Sequence, residues 1–494
     1  MATSFQNFIG GTWCNSSDGK TFENRNPADW NEILGIFPLS TSSDVERAAQ
    51  AADDAFRSWR LVPAPERGNI LLRAAELLVR RKDEIAAIMT REMGKPLTET
   101  RGDVQEGIDT AFYSASETRR MFGINTPSEL RNKMNLSFRI PVGVCGLITP
   151  WNFPMAIPSW NIFPGLAAGN TFVFKPAEDT PWTANLLIEI LDEAGLPKGC
   201  VNLVHGAGST VGEAITKHPL IRAVSFTGST ATGKLVAQNC GVHTKHLCLE
   251  MGGKNAQIVL EDADLDLAIE GVLWGAFGTT GQRCTATSRL ILHEKIHDEM
   301  VERLVSQASK LRLGNGLETG IDVGPIINEK QRKNIERYVA IGKKEGAACI
   351  LGGRVASGGN LDKGWFFEPT IFTKVTPDMT IAKEEIFGPV LSVLTCSSLE
   401  EAIEINNSVI YGLSSSIYTR DINRAMVAAR DLEAGITYIN AATIGAEAHM
   451  PFGGVKATGN GHREGGWAVF DFYTEWKSVY IDYSGKLQRA QIDI

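Results

Sequence analysis

A chain of 494 residues is too long for one ordinary core and calls for two or three domains around well-filled interiors. Its 43% hydrophobic and 21% charged residues exclude a disordered chain, and 49 glycines announce many tight turns and close backbone approaches. The formal net charge of -8, with no long basic run, excludes a general nucleic-acid binder, because neutralising phosphates takes concentrated Lys and Arg.

The start, Met1-Ala-Thr-Ser-Phe-Gln-Asn, has neither the basic nor the apolar region of a secretory peptide, and no apolar run reaches membrane-spanning length. The eight cysteines form no Cys-x-x-Cys pair, so no zinc ribbon, disulfide framework or bound metal is expected, and a cytoplasmic protein is the simplest reading. Ser43-Asp-Val-Glu46 reads as a capping box opening a helix whose Val45, Ala48, Ala49, Ala52 and Phe56 share a face. A second helical stretch begins near Pro65, carries Ile70, Leu71, Leu77 and Leu78, and ends at the breaker Met93-Gly-Lys-Pro96. The opening section thus reads as helical.

From Val142 the rhythm changes to short apolar runs at Val142 to Ile148, Thr171 to Phe174, Val201 to Val204 and Ala223 to Phe226, separated by helical stretches, which predicts a parallel α/β sheet. Leu265 to Phe277 reads as a helix leading into the turn Gly278-Thr-Thr-Gly-Gln-Arg-Cys284 and a strand at Ser288 to Leu292. A second α/β unit follows to about residue 450. Tyr473 to Tyr483 alternates as a strand with nothing local to pair with, and such terminal strands often serve an intersubunit sheet. No tandem repeat is present.

Gly228-Ser-Thr-Ala-Thr-Gly233-Lys234 follows a strand and matches a triphosphate-binding loop until Leu235, where the magnesium-holding hydroxyl is missing. What remains is a glycine-rich turn that offers backbone N–H groups and a helix N-terminus to phosphates, or simply a tight turn. Gly206-Ala-Gly208-Ser-Thr-Val-Gly212 is one residue longer than the usual dinucleotide fingerprint and is weak by itself.

Cys284 sits among small residues that could leave its thiol accessible beside backbone donors; a buried small hydrophobe is the commoner fate of a cysteine, and the other seven are read that way. Glu250 ends the apolar run Leu247-Cys-Leu249 before two glycines, where desolvation could raise its pKa and fit it for general-base work; the alternative is a solvated strand-end charge. Asn152, in the stiff segment Thr149-Pro-Trp-Asn-Phe-Pro154, could stabilise an oxyanion through its amide, or could merely fix its own loop.

Taken together, Thr149-Pro-Trp-Asn-Phe-Pro154, Lys175-Pro-Ala-Glu178, Phe226-Thr-Gly-Ser229, Leu249-Glu-Met-Gly-Gly-Lys254, Gly281-Gln-Arg-Cys284, Glu384-Glu-Ile-Phe-Gly-Pro389 and Pro451-Phe-Gly-Gly-Val-Lys456 occur in the order seen in aldehyde dehydrogenases, and the chain resembles that superfamily throughout. The resemblance implies an α/β fold with a Rossmann-like cofactor domain (1–122 and 142–252), an α/β catalytic domain (253–470) and a small β oligomerisation arm (123–141 and 471–494) serving a homodimer or homotetramer. It implies that Cys284 is the nucleophile, Glu250 the base for hydrolytic water, and Asn152 with the Cys284 N–H the oxyanion hole. Lys175 resembles the residue holding the ribose near the nicotinamide; Ile148, Trp151, Phe226, Ser229, Glu385 and Phe387 match further cofactor contacts, and Gly208 and Gly212 would flank the adenine.

Glu178 would bond the ribose 2′-OH and repel a 2′-phosphate, favouring NAD over NADP. CoA-acylating relatives usually lack the base at Glu250, so water is the expected acceptor and a carboxylic acid the product. The chain departs from the family at Thr458-Gly-Asn-Gly-His-Arg-Glu464, one residue longer between glycine and arginine, which puts the contacts of that segment in doubt.

Ala156-Ile-Pro-Ser-Trp160 and Thr280-Gly-Gln-Arg-Cys-Thr-Ala-Thr-Ser288 are similar to semialdehyde dehydrogenases, including those acting on α-ketoglutarate semialdehyde. Phe153, Trp160, Arg283, Thr285, Ile444 and Phe452 are the candidate pocket residues. Arg283 and His449 are tempting carboxylate anchors, although a surface Arg and a hydrogen-bonded His are the plainer readings. The rival expectations are a broad-specificity aldehyde-detoxifying enzyme and an inactive structural protein on the same fold.

Overall fold

The computed structural model describes residues 3–492; residues 1–2 and 493–494, which the expected cofactor domain and arm include, lie outside the described residues. Two seven-stranded sheets carry the fold. In the first, the order is His246–Glu250, Ile221–Thr227, Val144–Ile148, Thr171–Lys175, Val201–Leu203, Asn7–Ile9 and Thr12–Cys14, parallel except at the last two strands. Alternate side chains feed opposite faces. Cys145, Leu147, Phe172 and Phe174 pack beneath the helices Ala64–Arg80, Leu97–Glu117 and Ala156–Ala168, while Val144, Ile148 and Val173 meet Ser42–Trp59 and Thr230–Val242. The helix Ala156–Ala168 is buried along its whole length, which is why its sequence is apolar on every side.

The second sheet runs Ala348–Leu351, Thr370–Thr373, Val390–Cys396, Arg289–His293, Ala256–Val259, Ser414–Tyr418 and Ile436–Ile439, with only the first strand antiparallel. The expected parallel α/β alternation is therefore present twice. The terminal strand Thr474–Asp482 does find a partner within the chain: it pairs antiparallel along Lys133–Pro141, which in turn pairs with Ile124–Pro127. This three-stranded sheet leaves Phe122, Phe138, Trp476, Tyr480 and Ile481 exposed.

Several local expectations need correction. The opening section is not simply helical: Asn7–Ile9 and Thr12–Cys14 extend the first sheet, and Thr21–Asn26 pairs with Asp29–Pro38. The first two runs are only three residues each and the longer pair mixes polar residues into its pattern, so they carry little strand signal. The capping box of the first helix is Thr41 with Asp44, two residues before the predicted Ser43 and Glu46; the Asp44 carboxylate also holds Ser17 and Arg47, a tertiary tie that local spacing does not display. The stretch from Pro65 to Met93 is two helices, Ala64–Arg80 and Lys82–Met93, broken at Arg81. No helix among the described residues is long and apolar enough to cross a membrane.

Candidate active site

The carboxyl ends of the parallel strands of the first sheet converge on one crevice, with Val144–Ile148 and Ile221–Thr227 on either side of the point where the strand order reverses. Open α/β sheets bind ligands at such a place. The loops leaving these ends supply Trp151, Asn152, Gly228, Ser229 and Glu250, and with Cys284, Gln331, Glu385 and Phe387 they line a cleft of about 420 Å³. The helix Thr230–Val242 opens onto it, its first turn capped by the Ser229 hydroxyl, which accepts from the Thr232 N–H. Leu235, which breaks the triphosphate-loop pattern, is on the solvent side of that helix and 60% exposed.

Glycines make room where the motifs place them. A Cβ at Gly252 would lie 2.2 Å from Glu385 Oε2, and the Gly253 N–H donates to Glu385 Oε1 at 3.0 Å. A Cβ at Gly453 would lie 2.3 Å from Glu250 Oε1, so the Pro451-Phe-Gly-Gly run exists in part to leave the carboxyl its space. Trp151 meets Phe387 edge-on, with ring centroids 5.4 Å apart. At the outer end of the crevice the Lys175 ammonium pairs with Glu178 Oε2 at 2.7 Å, and the Gly208 N–H donates to Glu178 Oε1 at 3.2 Å. Nothing stands within 4 Å of the place a Gly208 side chain would fill, so the backbone there is open to a ligand. Ile148, Phe226 and Gly212 are buried beneath the crevice and shape it from below.

Cys284 is brought to this edge by a strained turn. Thr279 and Thr280 have φ of 51° and 57°, a left-handed conformation that β-branched residues resist. Glu99 holds the turn by accepting from the Thr279 N–H at 3.0 Å and from the Thr279 hydroxyl, and Thr280 donates to the Gly324 carbonyl at 3.0 Å. Asn255 then donates to the Cys284 carbonyl at 2.7 Å. Burial, with Glu250 and Glu385 nearby, pushes the Cys284 thiol up to about 12, so it rests in its neutral form. Cys284 as a residue is half-buried and borders both cavities.

Glu250 is not a solvated strand-end charge. It is 3% exposed, neither carboxyl oxygen has a hydrogen-bond partner among the described residues, and burial, followed by the charge of Glu464, raises its pKa well above the usual carboxylate range. Asn152 is 2% exposed with Oδ1 unpartnered, and its carbonyl accepts from Lys95 Nζ at 2.9 Å, while that ammonium pairs with buried Asp103 at 2.7 Å. The segment is thus fixed through its backbone, and the side-chain amide is left for other work.

A second cavity, about 140 Å³, continues from Cys284, Glu250, Ile157, Thr227 and Met251 on the side away from the crevice. Phe153, Trp160, Arg283, Thr285 and Phe452 line it as predicted. Ile444 does not: it is buried, and the adjacent Gly445 and Ala446 form the wall instead. His449 is out on the surface, 61% exposed by side chain and beside Glu447. Arg283 is no surface residue; its Nε donates to Thr279 at 2.8 Å, one terminal nitrogen pairs with Glu99 at 2.8 Å, and the plane rests on Phe153 and Trp274.

Sequence reading missed Glu106, Leu413 and Glu464 in this cavity. Glu464 ends the run Thr458-Gly-Asn-Gly-His-Arg-Glu464, which the Asn460 side chain ties to the sheet edge by accepting from the Leu249 N–H and donating to the Leu247 carbonyl. Glu464 Oε1 accepts from Asn161 at 3.0 Å, and Asn161 in turn accepts from the Tyr473 hydroxyl at 2.7 Å. A glutamate after glycine and arginine was visible; its burial was not. For Glu106 the only available signal was one more carboxylate on a helix that also carries Glu99, Asp103 and Asp109.

A neutral thiol, an unpartnered buried carboxyl and a free amide facing a crevice with a glycine-rich phosphate turn suit acyl chemistry coupled to a dinucleotide. Residues 13–479 match the aldehyde dehydrogenase family. The chain belongs to that family. It is 43% identical over 477 residues to an alpha-ketoglutaric semialdehyde dehydrogenase of Bacillus subtilis, covering 97% of this chain and 98% of the relative. It is 40% identical to malonate-semialdehyde dehydrogenase 2 of Geobacillus kaustophilus, over 96% of this chain and 98% of that one. A betaine aldehyde dehydrogenase of Staphylococcus aureus, solved in complex with NAD+, superimposes with a TM-score of 0.96 at 35% identity, covering 98% of this chain and 97% of that one. The chain is an aldehyde dehydrogenase, and the family uses NAD(P). The open backbone at Gly208, the aromatic pair at Trp151 and Phe387 and the capped turn at Ser229 fit such a dinucleotide.

Proposed function

We propose that this aldehyde dehydrogenase oxidises an acidic semialdehyde to a dicarboxylic acid, with NAD preferred over NADP. The observation that carries the substrate class is Arg283: its Nε and one terminal nitrogen are engaged within the protein, while Nη1 has no hydrogen bond among the described residues and the side chain lines the cavity beside Cys284. That edge of the guanidinium can hold the remote carboxylate. The names of the Bacillus and Geobacillus relatives support the same class.

In this reading Cys284 Sγ loses its proton to solvent and bonds the carbonyl carbon, and the developing oxyanion is held by the Asn152 amide and the Cys284 N–H. The bound nicotinamide supplies the hydride acceptor, with Lys175, Glu178, Ser229, Glu385 and Phe387 holding the cofactor. Glu250, once ionised, takes a proton from water as that water attacks the thioester, and the acid and the thiol are released. Glu178 supports NAD because a carboxylate anchored at both oxygens cannot easily turn away from a 2′-phosphate. Residues 1–122 and 142–252 form the cofactor domain, 253–470 the catalytic domain, and 123–141 with 471–494 an arm whose exposed aromatic face seats a second copy in a homodimer or homotetramer. The eight free cysteines suit a cytoplasmic setting.

The test is NADH formation with α-ketoglutarate semialdehyde, succinic semialdehyde and simple aliphatic aldehydes, with NADP in parallel and Cys284→Ala as control. Turnover concentrated on an acidic semialdehyde, lost by more than about 10³-fold in the control, is the expected result. Equal rates across the panel overturn the substrate class.

A further inference from the structure

Six wall residues of the cavity beyond Cys284 were expected and five line it; Glu106 was not expected, and nothing in the chemistry described so far uses it. It projects from the amphipathic helix Leu97–Glu117 into the same cavity as Arg283, Phe153, Trp160 and Phe452. Its carboxyl makes no hydrogen bond and no ion pair among the described residues, whereas Asp103 and Glu99, on the same helix, are both committed to cations or to backbone N–H groups. Glu106 is half-buried, so its carboxyl stays open to the cavity, and a ligand's polar group can take the place of water as its partner.

We propose that Glu106 is a specificity-determining residue that reads the remote carboxylate of the substrate: as a carboxylic acid it donates a hydrogen bond to that group while Arg283 Nη1 holds its other oxygen, and as a carboxylate it repels it. The inference rests on the acidic-semialdehyde reading above.

Charges surround Glu106 on several sides. Asp103 and Asp109 share its helix, Lys95 precedes that helix, Arg283 and Cys284 face it from the strained turn, Tyr438 approaches from the strand Ile436–Ile439, and Glu250 and Glu464 close the far wall. Burial is the largest influence and Asp103 the next, and together they push Glu106 up to about 8 despite Arg283 and Lys95. The group is therefore largely protonated at neutral pH and ionises just above it. A carboxylate substrate then faces a hydrogen-bond donor at pH 7 and a like charge at pH 9.

The experiment is the ratio of kcat/KM for succinic semialdehyde to kcat/KM for butanal, an uncharged aldehyde of equal chain length, followed from pH 6.5 to 9.5 in the wild-type enzyme and in Glu106→Gln. Ionisations of Cys284, Glu250 and Glu464 act on both aldehydes and largely divide out. The expected result is a ratio that falls by about tenfold or more between pH 7 and pH 9.5 in the wild type, carried by KM for the acidic aldehyde, and that stays flat within about twofold in Glu106→Gln. A ratio that favours the acidic aldehyde but does not change with pH in the wild type overturns the role of Glu106 and leaves the substrate class standing; so does an unchanged fall in Glu106→Gln. A ratio near one at every pH overturns the acidic-semialdehyde reading and Glu106 with it. The wild-type arm needs no variant, so a misfolded Glu106→Gln does not shelter the proposal.

Discussion

The two cavities that meet at Cys284 are built by different means. The crevice on the side of the first sheet is made of strand ends, glycine spaces and backbone donors, so its shape follows from chain topology. The cavity on the other side is made of side-chain tips gathered from the helix Leu97–Glu117, the helix Ala156–Ala168, the turn at Arg283 and the loops at Leu413, Ala446, Phe452 and Glu464. Topology tolerates little change, because a Cβ at Gly252 or Gly453 collides with a carboxylate. Side-chain tips can be exchanged one at a time without moving the backbone. A constant chemistry and a variable substrate can therefore be housed a few bonds apart.

This contrast can be broken or sharpened by substitution. At the junction, Glu250→Gln is expected to slow steady-state turnover by about 10²- to 10⁴-fold for every aldehyde, leaving a burst of NADH before the slow phase in stopped-flow absorbance. Because burial and Glu464 raise the Glu250 pKa, the group is a protonated acid at low pH and unable to accept a proton. Hydrolysis should therefore rise as pH climbs through that elevated pKa and fall on acidification, and a pH profile of kcat in Glu250→Gln should lack this limb. Asn152→Ala is expected to cost about 10²- to 10³-fold in kcat, again for all aldehydes alike, with cofactor affinity by fluorescence titration preserved. On the crevice side, Glu178→Gln should reduce the NAD over NADP preference by about tenfold while the ranking of aldehydes stays as it was. On the cavity side, Trp160→Leu should reorder the aldehydes by about 1–3 kcal/mol in relative kcat/KM and leave the KM for NAD in place. If Trp160→Leu slowed all aldehydes equally, or Glu178→Gln reordered them, the division between the two cavities would be wrong.

The same contrast explains what could be read in advance. The parallel sheet and the Leu265–Phe277 helix were legible because periodicity reports backbone geometry well, Glu250 stood out at the end of an apolar run before two glycines, and Trp151, Ser229 and Glu385 were legible only through the resemblance of their motifs to the family. Glu106 and Leu413 belong to ordinary amphipathic or apolar stretches, and only the fold brings them beside Cys284. Ile444 was expected in the wall, but in a loop one residue decides between facing a cavity and facing the core, and Gly445 and Ala446 line it instead. Asn7–Ile9 was overlooked for a related reason: besides its neighbour Thr12–Cys14, it joins the sheet through Leu203, far along the chain.

The Tyr473 hydroxyl, through Asn161, reaches Glu464, and the strand Thr474–Asp482 begins at the next residue. On a ribosome, the thiol at Cys284 emerges long before Phe452 and Glu464, two of the residues that frame it. The nascent chain can complete its first sheet and still hold an unfinished centre, which is closed only once the stretch around Tyr473 has been made. A protease that clipped the chain just before Tyr473 would leave most of the molecule intact and unhook the far end of the wall around the reactive sulfur.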